Sequence, residues 1–280
     1  MKYLMINLFE IITPHPIKMV SSLLTVMTWN MWFDKKNRAQ RTETLLNEVR
    51  CYDPDIIALQ EVVPESLNII IAKMHPTYYI IGTISQDIGY DTLLLSKFPP
   101  IEWNRYYLPK TKMGRNLLLA TLQTPMRQIT VGTFHLESIF NKCANEAEIL
   151  KESQLKYIYA ISPINSILMG DTNLPLSERG IPPNTEPISS PYITDVYEEY
   201  TVSPPDAHSL GVCPFQKGAG AGATYCGHTN KNVKYKSIQS RLDRIYVKIK
   251  RNSLKVHFYG LTGTITQPSD HYGVFSQIEI

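Results

Sequence analysis

The chain has 280 residues, 43% hydrophobic, 10% aromatic and 19% charged, with a formal net charge of +3. This composition excludes a disordered or fibrous chain, and the length permits one large domain or two small ones. A charge this close to neutral tolerates a polyanionic partner without requiring one. The four scattered cysteines (Cys51, Cys143, Cys213 and Cys226) form no CxxC pair. Reduced thiols in an intracellular protein are therefore expected, with neither a zinc knuckle nor a disulfide scaffold.

In chain order, residues 1–23 read as a non-catalytic extension. Its first twelve residues are apolar, but Glu10 interrupts them and Pro14 and Pro16 follow. The stretch is too short to span a bilayer and lacks a small-residue cleavage site, and Met19 offers an internal start. Leu23 to Thr28 reads as a buried strand and Arg38 to Arg50 as a helix, closed by Asp53-Pro54. Asp55 to Leu59 is a second buried strand and Pro64 to Met74 a second helix. Strands follow at Tyr78 to Thr83, Asp91 to Ser96, Asn116 to Gln123 and Gln128 to Phe134. Ala144 to Ile161 is the longest helix, and Ser166 to Met169 a strand that runs into Gly-Asp-Thr-Asn. Asp243 to Lys248, Lys255 to Tyr259 and Val274 to Ile278 complete the strands. Strand–helix–strand units mixed with hairpins predict an α/β fold of two packed mixed sheets flanked by helices. The proline-rich stretch from Arg179 to Tyr192 and residues 203–236 read as surface loops, so residues 24–280 form a single domain.

Polar residues collect at the strand ends, where an α/β scaffold holds functional groups rigidly. Asn30 follows TVMTW, Glu61 follows DIIALQ, Asp171 and Asn173 follow SILMG or flank its turn, and Asp270-His271 precede GVFSQI. Taken singly, each has an ordinary structural explanation: Glu61 as a helix-start carboxylate, Asp171 as a turn residue, His271 as a satisfied core histidine. Their ordered combination carries more weight.

The combination resembles the endonuclease/exonuclease/phosphatase superfamily. The likeness rests on Thr28-Trp29-Asn30, Leu59-Gln60-Glu61-Val62, Arg115-Asn116-Leu117-Leu118, His135-Leu136-Glu137-Ser138, Gly170-Asp171-Thr172-Asn173-Leu174, Arg241-Leu242-Asp243-Arg244-Ile245 and Ser269-Asp270-His271. Within the superfamily it is most similar to the branch that cleaves 5′-tyrosyl–DNA bonds. The resemblance runs from about Leu24 to the C-terminus and implies a four-layer α/β/β/α sandwich.

Phosphodiester hydrolysis calls for a metal, an activated water and donors for the phosphoryl oxygens. Glu61 offers a hard oxygen ligand for Mg²⁺, with Mn²⁺ as a substitute, and the lack of a carboxylate beside it in sequence favours a single ion. The resemblance adds Asn30 to the metal shell or the phosphate. Asp171 is the candidate to position and deprotonate water, and Asn173, two residues on along an extended segment, to hold that water or a phosphoryl oxygen. His271 would donate to the phosphoryl oxygen, oriented and kept charged by Asp243, with Asp270 as a further metal-shell group. By resemblance His135 and Ser138 bind the scissile phosphate, joined by Arg115 and Asn116, although an arginine at a strand start is more often a solvated charge.

Two departures stand out. The branch continues after Gly-Asp-Thr-Asn with Leu-Arg-Asp, whereas Leu174-Pro175-Leu176 stands here, and Tyr225 occupies the region of the family's tryptophan. The tract Gly218 to Gly222 lacks the Lys-Ser/Thr of a phosphate loop. Lys231, Lys234, Lys236, Arg241, Arg244, Lys248, Lys250, Arg251 and Lys255 make either a solvated face or a track for a nucleic-acid backbone. The resemblance implies a monomeric, membrane-free enzyme acting on nucleic acid with a 5′-linked tyrosine or peptide. The alternatives are an apurinic-site endonuclease or 3′-exonuclease, a lipid or small-molecule phosphodiesterase, and a catalytically silent nucleic-acid-binding module.

Overall fold

The computed structural model describes residues 23–85, 87–138, 144–174, 192–202, 222–249 and 254–280. Chain order is β1 (Leu23–Asn30), α1 (Arg38–Tyr52), β2 (Ile56–Val62), α2 (Pro64–Met74), β3 (Tyr79–Ile81), β4 (Asp91–Ser96), β5 (Pro100–Tyr107), β6 (Asn116–Gln123) and β7 (Gln128–His135). It continues with α3 (Ala144–Ile161), β8 (Ser166–Asp171), β9 (Ile193–Asp195), α4 (Val196–Val202), β10 (Tyr225–Cys226), β11 (Gln239–Ser240), β12 (Asp243–Lys248), β13 (Lys255–Thr262) and β14 (Gly273–Glu279). One six-stranded sheet has the order β13-β14-β1-β2-β4-β3 and the other β5-β6-β7-β8-β12-β9.

The alternation of side chains along each strand builds the layers. On β1 and β2, Val26, Ile56 and Ala58 face the opposite sheet and pack on Val131, Ile167, Met169, Ile245 and Val247. Their neighbours Met27, Ile57 and Leu59 lie against Leu45, Leu46 and Val49 of α1 and Ile70 and Met74 of α2. On the far side, Leu117, Phe134, Leu168 and Tyr246 pack on Leu155, Ile158 and Tyr159 of α3. The result is the four-layer α/β/β/α sandwich expected from the sequence.

The inward-facing rows share a gradient: Val26, Thr28, Asn30 on β1; Ile56, Ala58, Gln60 on β2; Val131, Thr133, His135 on β7; Ile167, Met169, Asp171 on β8. Antiparallel β12 runs the other way, Val247, Ile245, Asp243. The inter-sheet core therefore turns polar at one end of the sandwich. Gln60 begins the change, donating through Nε2 to Thr28 Oγ1 (3.1 Å) and, across the sheets, to Thr133 Oγ1 (3.0 Å).

Most predicted elements recur with ends moved by a few residues. Strand β5 is absent from the predicted elements: it is an edge strand exposed along most of its length, and Arg105 interrupts the alternation of Ile101, Trp103 and Tyr107. Strand β9 and helix α4 occupy the short interval between the two stretches read as loops, to which no element was assigned, and the two-residue strand β10 lies inside the second of those stretches.

Candidate active site

Register creates one half of the site. Strand β7 pairs in parallel with β8 so that His135 stands opposite Asp171, and β12 pairs with β8 so that Asp243 stands opposite Asp171. Three neighbouring strands thus end in three functional side chains. Gly170 permits this: a Cβ there would lie 2.0 Å from the Phe134 carbonyl oxygen, so only glycine lets β7 and β8 approach one step before the site.

His271 closes the group, with Nδ1 2.7 Å from Asp243 Oδ2 and Nε2 3.9 Å from Asp171 Oδ2. Burial works against its charge, but Asp243, Asp171 and Asp270 hold its pKa well above the ordinary histidine value. Burial pushes the Asp243 carboxyl up, while the His271 imidazolium opposes it. The state consistent with three surrounding carboxyl groups is a charged imidazole donating to Asp243. Burial would also raise Asp171, yet His135, His271 and the Asn173 N–H bring it far below the usual carboxylate range. Asp171 is a fixed anion.

His135 is buried and engaged at both ring nitrogens. Arg115 can only donate, so it gives its Nη1 hydrogen to Nδ1, and Nε2–H then faces Asp171 Oδ2 at 3.3 Å. Asn173 reaches this corner by a turn, not along an extended segment as its spacing suggested. Its φ is 48° and its N–H bonds Asp171 Oδ1 at 2.8 Å. Its Nδ2 sits 3.0 Å from His135 Nε2 and donates to Leu136 O (3.1 Å). Arg115 is not a solvated charge; it is 3% exposed.

Asn116 points elsewhere. It donates to Asp91 Oδ1 and Gly114 O and accepts from Thr92 Oγ1, so it braces β4 against β6. In His-Leu-Glu-Ser, Glu137 is bonded as well as His135: its carboxylate accepts from Lys112 N, Met113 N and Thr111 Oγ1, fixing the turn that delivers Arg115. Ser138 is half-buried and has no side-chain hydrogen bond among the described residues.

The other half is built on turns. Asn30 donates from Nδ2 to Asp171 Oδ2 (3.0 Å), tying the two halves together, and accepts from Trp32 N (2.9 Å). Glu61 has φ 59° at an irregularity in the β2–β4 ladder. Strict alternation would put it beside Ile57 and Leu59 under the helices; the left-handed residue re-aims it. Its Oε2 accepts from Phe33 N (3.0 Å). Asp270 is fed by the loop before β14, where Ser269 Oγ donates to Asn30 O (2.7 Å) and Trp29 Nε1 to His271 O (3.0 Å). The Trp29 of Thr-Trp-Asn therefore anchors the His271 loop from the opposite face.

Burial, with Glu61 and Asp171 nearby, pushes the Asp270 carboxyl up to about 6, against the pull of His271. Hard oxygen donors gathered with so little compensating charge fit a divalent cation. A tighter cluster, Asp171, Asp243 and His271, has candidate ligand atoms within 4.8 Å of one another. The imidazole there already spends Nδ1 on Asp243 and is held protonated, so a cation would have to displace that proton. Glu61 and Asp270, which carry no such proton-holding imidazole, are the carboxylates whose chemistry would suit a divalent cation better.

Several neighbours were not singled out in the sequence. Phe33 and Tyr90 stack at 5.2 Å between ring centroids, and the Arg115 guanidinium lies 5.3 Å from the Tyr90 ring. Neither ring belongs to a motif that could have revealed it. Thr224 Oγ1 accepts from Leu242 N and Asp243 N, and Tyr225 lies 5.0 Å from the His271 ring, so the segment after the glycine tract does border the site. Of that tract only Gly222 falls within the described residues, and Pro175 falls outside them. The basic track is corrected in part. Arg241 and Arg244 are buried around Asp195, with Arg241 Nη1 at 2.7 Å from Asp195 Oδ2, and Lys248 Nζ caps α3 through Tyr159 O and Ser162 O. Lys250 and Arg251 lie outside the described residues, while Lys231, Lys234 and Lys236 remain at the surface. No helix among the described residues is long and apolar enough to cross a membrane.

Comparison with known proteins gives the family and the fold. The sequence profile of the endonuclease/exonuclease/phosphatase family matches residues 27–271. Tyrosyl-DNA phosphodiesterase 2 of Xenopus laevis is 29% identical over 274 residues, covering 92% of this chain and 67% of that protein. The Homo sapiens protein of the same name is 31% identical over 157 residues, covering 55% of this chain and 42% of that one. The chain thus aligns with about two fifths to two thirds of these relatives' length. A crystal structure of Danio rerio TDP2 complexed with single-strand DNA product superposes with a TM-score of 0.71 at 24% identity, over 93% of this chain and all of that one. A Caenorhabditis elegans TDP2 crystal structure gives 0.68 at 20% identity, over 92% of this chain and 75% of that one. The chain belongs to the endonuclease/exonuclease/phosphatase family.

Proposed function

We propose that this chain is a Mg²⁺-dependent phosphodiesterase that hydrolyses the bond between a tyrosine and the 5′ phosphate of DNA, working as a monomer through one catalytic domain over residues 24–280. The observation that carries the hydrolytic reading is the registered triad of strand ends, His135, Asp171 and Asp243, closed by a charged His271. The names of the relatives support the tyrosyl–DNA substrate.

Glu61 and Asp270, with Asn30 beside them, would hold the ion, which supplies charge neutralisation at the phosphoryl group. His271 donates from Nε2 to a phosphoryl oxygen, and Asp243 fixes the ring and its charge. Asp171 orients the attacking water. Its depressed pKa makes it a weak resting base, so its contribution is alignment and acceptance of the proton late in bond formation. Asn30 Nδ2 fixes Asp171, while Arg115, holding the neutral His135 ring through Nδ1, adds positive character beside the phosphate. The Phe33–Tyr90 stack beside Glu61 and Arg115 suits an aromatic leaving group. The departure after Asn173 removes the branch's arginine, so Arg115 is the candidate cation left near the substrate.

The test compares purified protein on 5′-tyrosyl, 3′-tyrosyl and abasic-site oligonucleotides, with magnesium and with chelator. Magnesium-dependent release of 5′-phosphorylated DNA from the first substrate alone is expected. Preferential cleavage at the abasic site would move the chain to the apurinic-endonuclease reading.

A further inference from the structure

Beside the catalytic end lies a cavity of about 470 Å³ with a different character. Its walls include Trp32 and Lys36 from the β1–α1 connection, Arg41 from the start of α1, and Lys231, Asn232 and Gln267 from two further loops. Trp32 is two residues from Asn30, and Gln267 is three from Asp270, so the cavity adjoins the centre on its Asn30 and Asp270 side.

The cavity is built, not incidental. All five guanidinium N–H groups of Arg41 donate to backbone carbonyls: Nε to Lys36, Nη1 to Met31 and Pro268, Nη2 to Trp32 and Asp34, at 2.6 to 3.1 Å. Neutral acceptors satisfy the donors and leave the charge in place. The guanidinium also covers one face of the Trp32 ring at 4.4 Å, and Trp32 itself is held at φ 59° by the Asn30 side chain. Opposite, Asn232 Nδ2 donates to Gln267 O and Ser269 O, and Gln267 Oε1 accepts from Lys231 N. Neither Lys36 nor Lys231 has a carboxylate within salt-bridge distance among the described residues, so the cavity is lined by two lysines whose charge no carboxylate neutralises.

We infer that this cavity is a second subsite for the nucleic-acid strand, binding a backbone phosphate and its base beyond the scissile one. This rests on the proposed action on nucleic acid. Lys36 and Lys231 take the phosphate, with Arg41 adding charge behind them, and the Trp32 ring offers a stacking surface for a base. Amide and hydroxyl side chains make up most of the remaining lining, which suits sugar and phosphate oxygens better than an apolar peptide segment.

The test measures binding by fluorescence anisotropy, which does not depend on turnover. The probes are 5′-phosphorylated single-stranded DNA of about eight nucleotides, within the usual site size, and a 5′-phosphorylated dinucleotide. In the double variant Lys36→Ala/Lys231→Ala, affinity for the longer strand should fall roughly tenfold at about 0.1 M salt, and the slope of log K against log salt should lessen by about one. Affinity for the dinucleotide should change less than about twofold, since only the longer strand crosses the cavity. Trp32→Ala should weaken the longer strand similarly, and Trp32→Phe should restore most of the loss. Equal loss on both probes, an unchanged salt slope, or an effect that follows the length of a tyrosyl peptide would overturn the inference. If the wild type binds the long strand in this way but releases nothing from a 5′-tyrosyl substrate, the proposed reaction fails while the subsite stands.

Discussion

The two halves of the site are held by different means. His135, Asp171, Asp243 and His271 sit on, or bond to, three strands in register, and their polar side-chain atoms other than Asp243 Oδ1 and His271 Nε2 have a protein partner at hydrogen-bond distance. Glu61 and Asp270 hang from a left-handed strand residue and a loop, with carboxylate oxygens that accept little from the protein. The first half is preorganised around a proton and a fixed anion. The second keeps oxygens and negative charge in reserve, the arrangement that the proposed cation would need. Asn30 belongs to both, and its 3.0 Å bond to Asp171 sets their distance.

The largest effect should come from breaking the preorganised half. His271→Ala and Asp171→Asn should each lower turnover on a 5′-tyrosyl oligonucleotide by at least about two orders of magnitude, with circular dichroism unchanged. A loss below tenfold would reduce that residue to a supporting part. Asp243→Asn leaves His271 without the anion that charges it. Stability to denaturant should fall by about 1–3 kcal/mol, and the alkaline limb of the rate profile should move to lower pH because the imidazolium loses its proton earlier. An unmoved limb would separate Asp243 from the charge of His271.

Asn116→Ala sharpens the contrast from outside. Its amide braces Asp91 and Gly114, so the expected outcome is a stability loss of about 1–3 kcal/mol with little change in turnover at a temperature where the protein stays folded. A large loss of kcat without a loss of stability would return Asn116 to the site.

The cation half has its own pH signature. Asp270 titrates at about 6 in the folded protein and near 4 when unfolded. The folded state therefore holds the proton more tightly, and this group's contribution to stability is present below pH 4 and lost as pH rises towards 6. With chelator present, the melting temperature of the wild type should drop across that window relative to Asp270→Asn. Parallel curves would show that Asp270 is not crowded by Glu61 and Asp171. The smallest effect is expected at Lys248, whose ammonium caps α3: Lys248→Ala should leave the salt dependence of DNA binding unchanged.

Much of this was legible in the sequence because inward rows that end in polar residues leave a pattern along each strand. Val26-Thr28-Asn30 and Ile167-Met169-Asp171 announce both a buried strand and where it stops being apolar. The side-chain partners were not legible. Arg115 looks like a surface charge until β7 brings His135 to it. Arg241 and Arg244 look like part of a basic track because their counter-ion, Asp195, lies on a three-residue strand with no periodic signal. Glu61 was found by its motif, but its left-handed backbone, which re-aims the side chain from helix to site, was not foreseeable from residue type. Phe33 and Tyr90 meet only in three dimensions.

The central claim is that the cation belongs with Glu61 and Asp270, and the proton with Asp243 and His271. Direct Mn²⁺ binding, followed by electron paramagnetic resonance of free Mn²⁺ at neutral pH, separates the two. Glu61→Gln and Asp270→Asn should each abolish or strongly weaken binding, and Asp243→Asn should leave it nearly intact. Retained binding in Glu61→Gln with loss in Asp243→Asn would place the ion in the Asp171, Asp243 and His271 cluster and contradict the account.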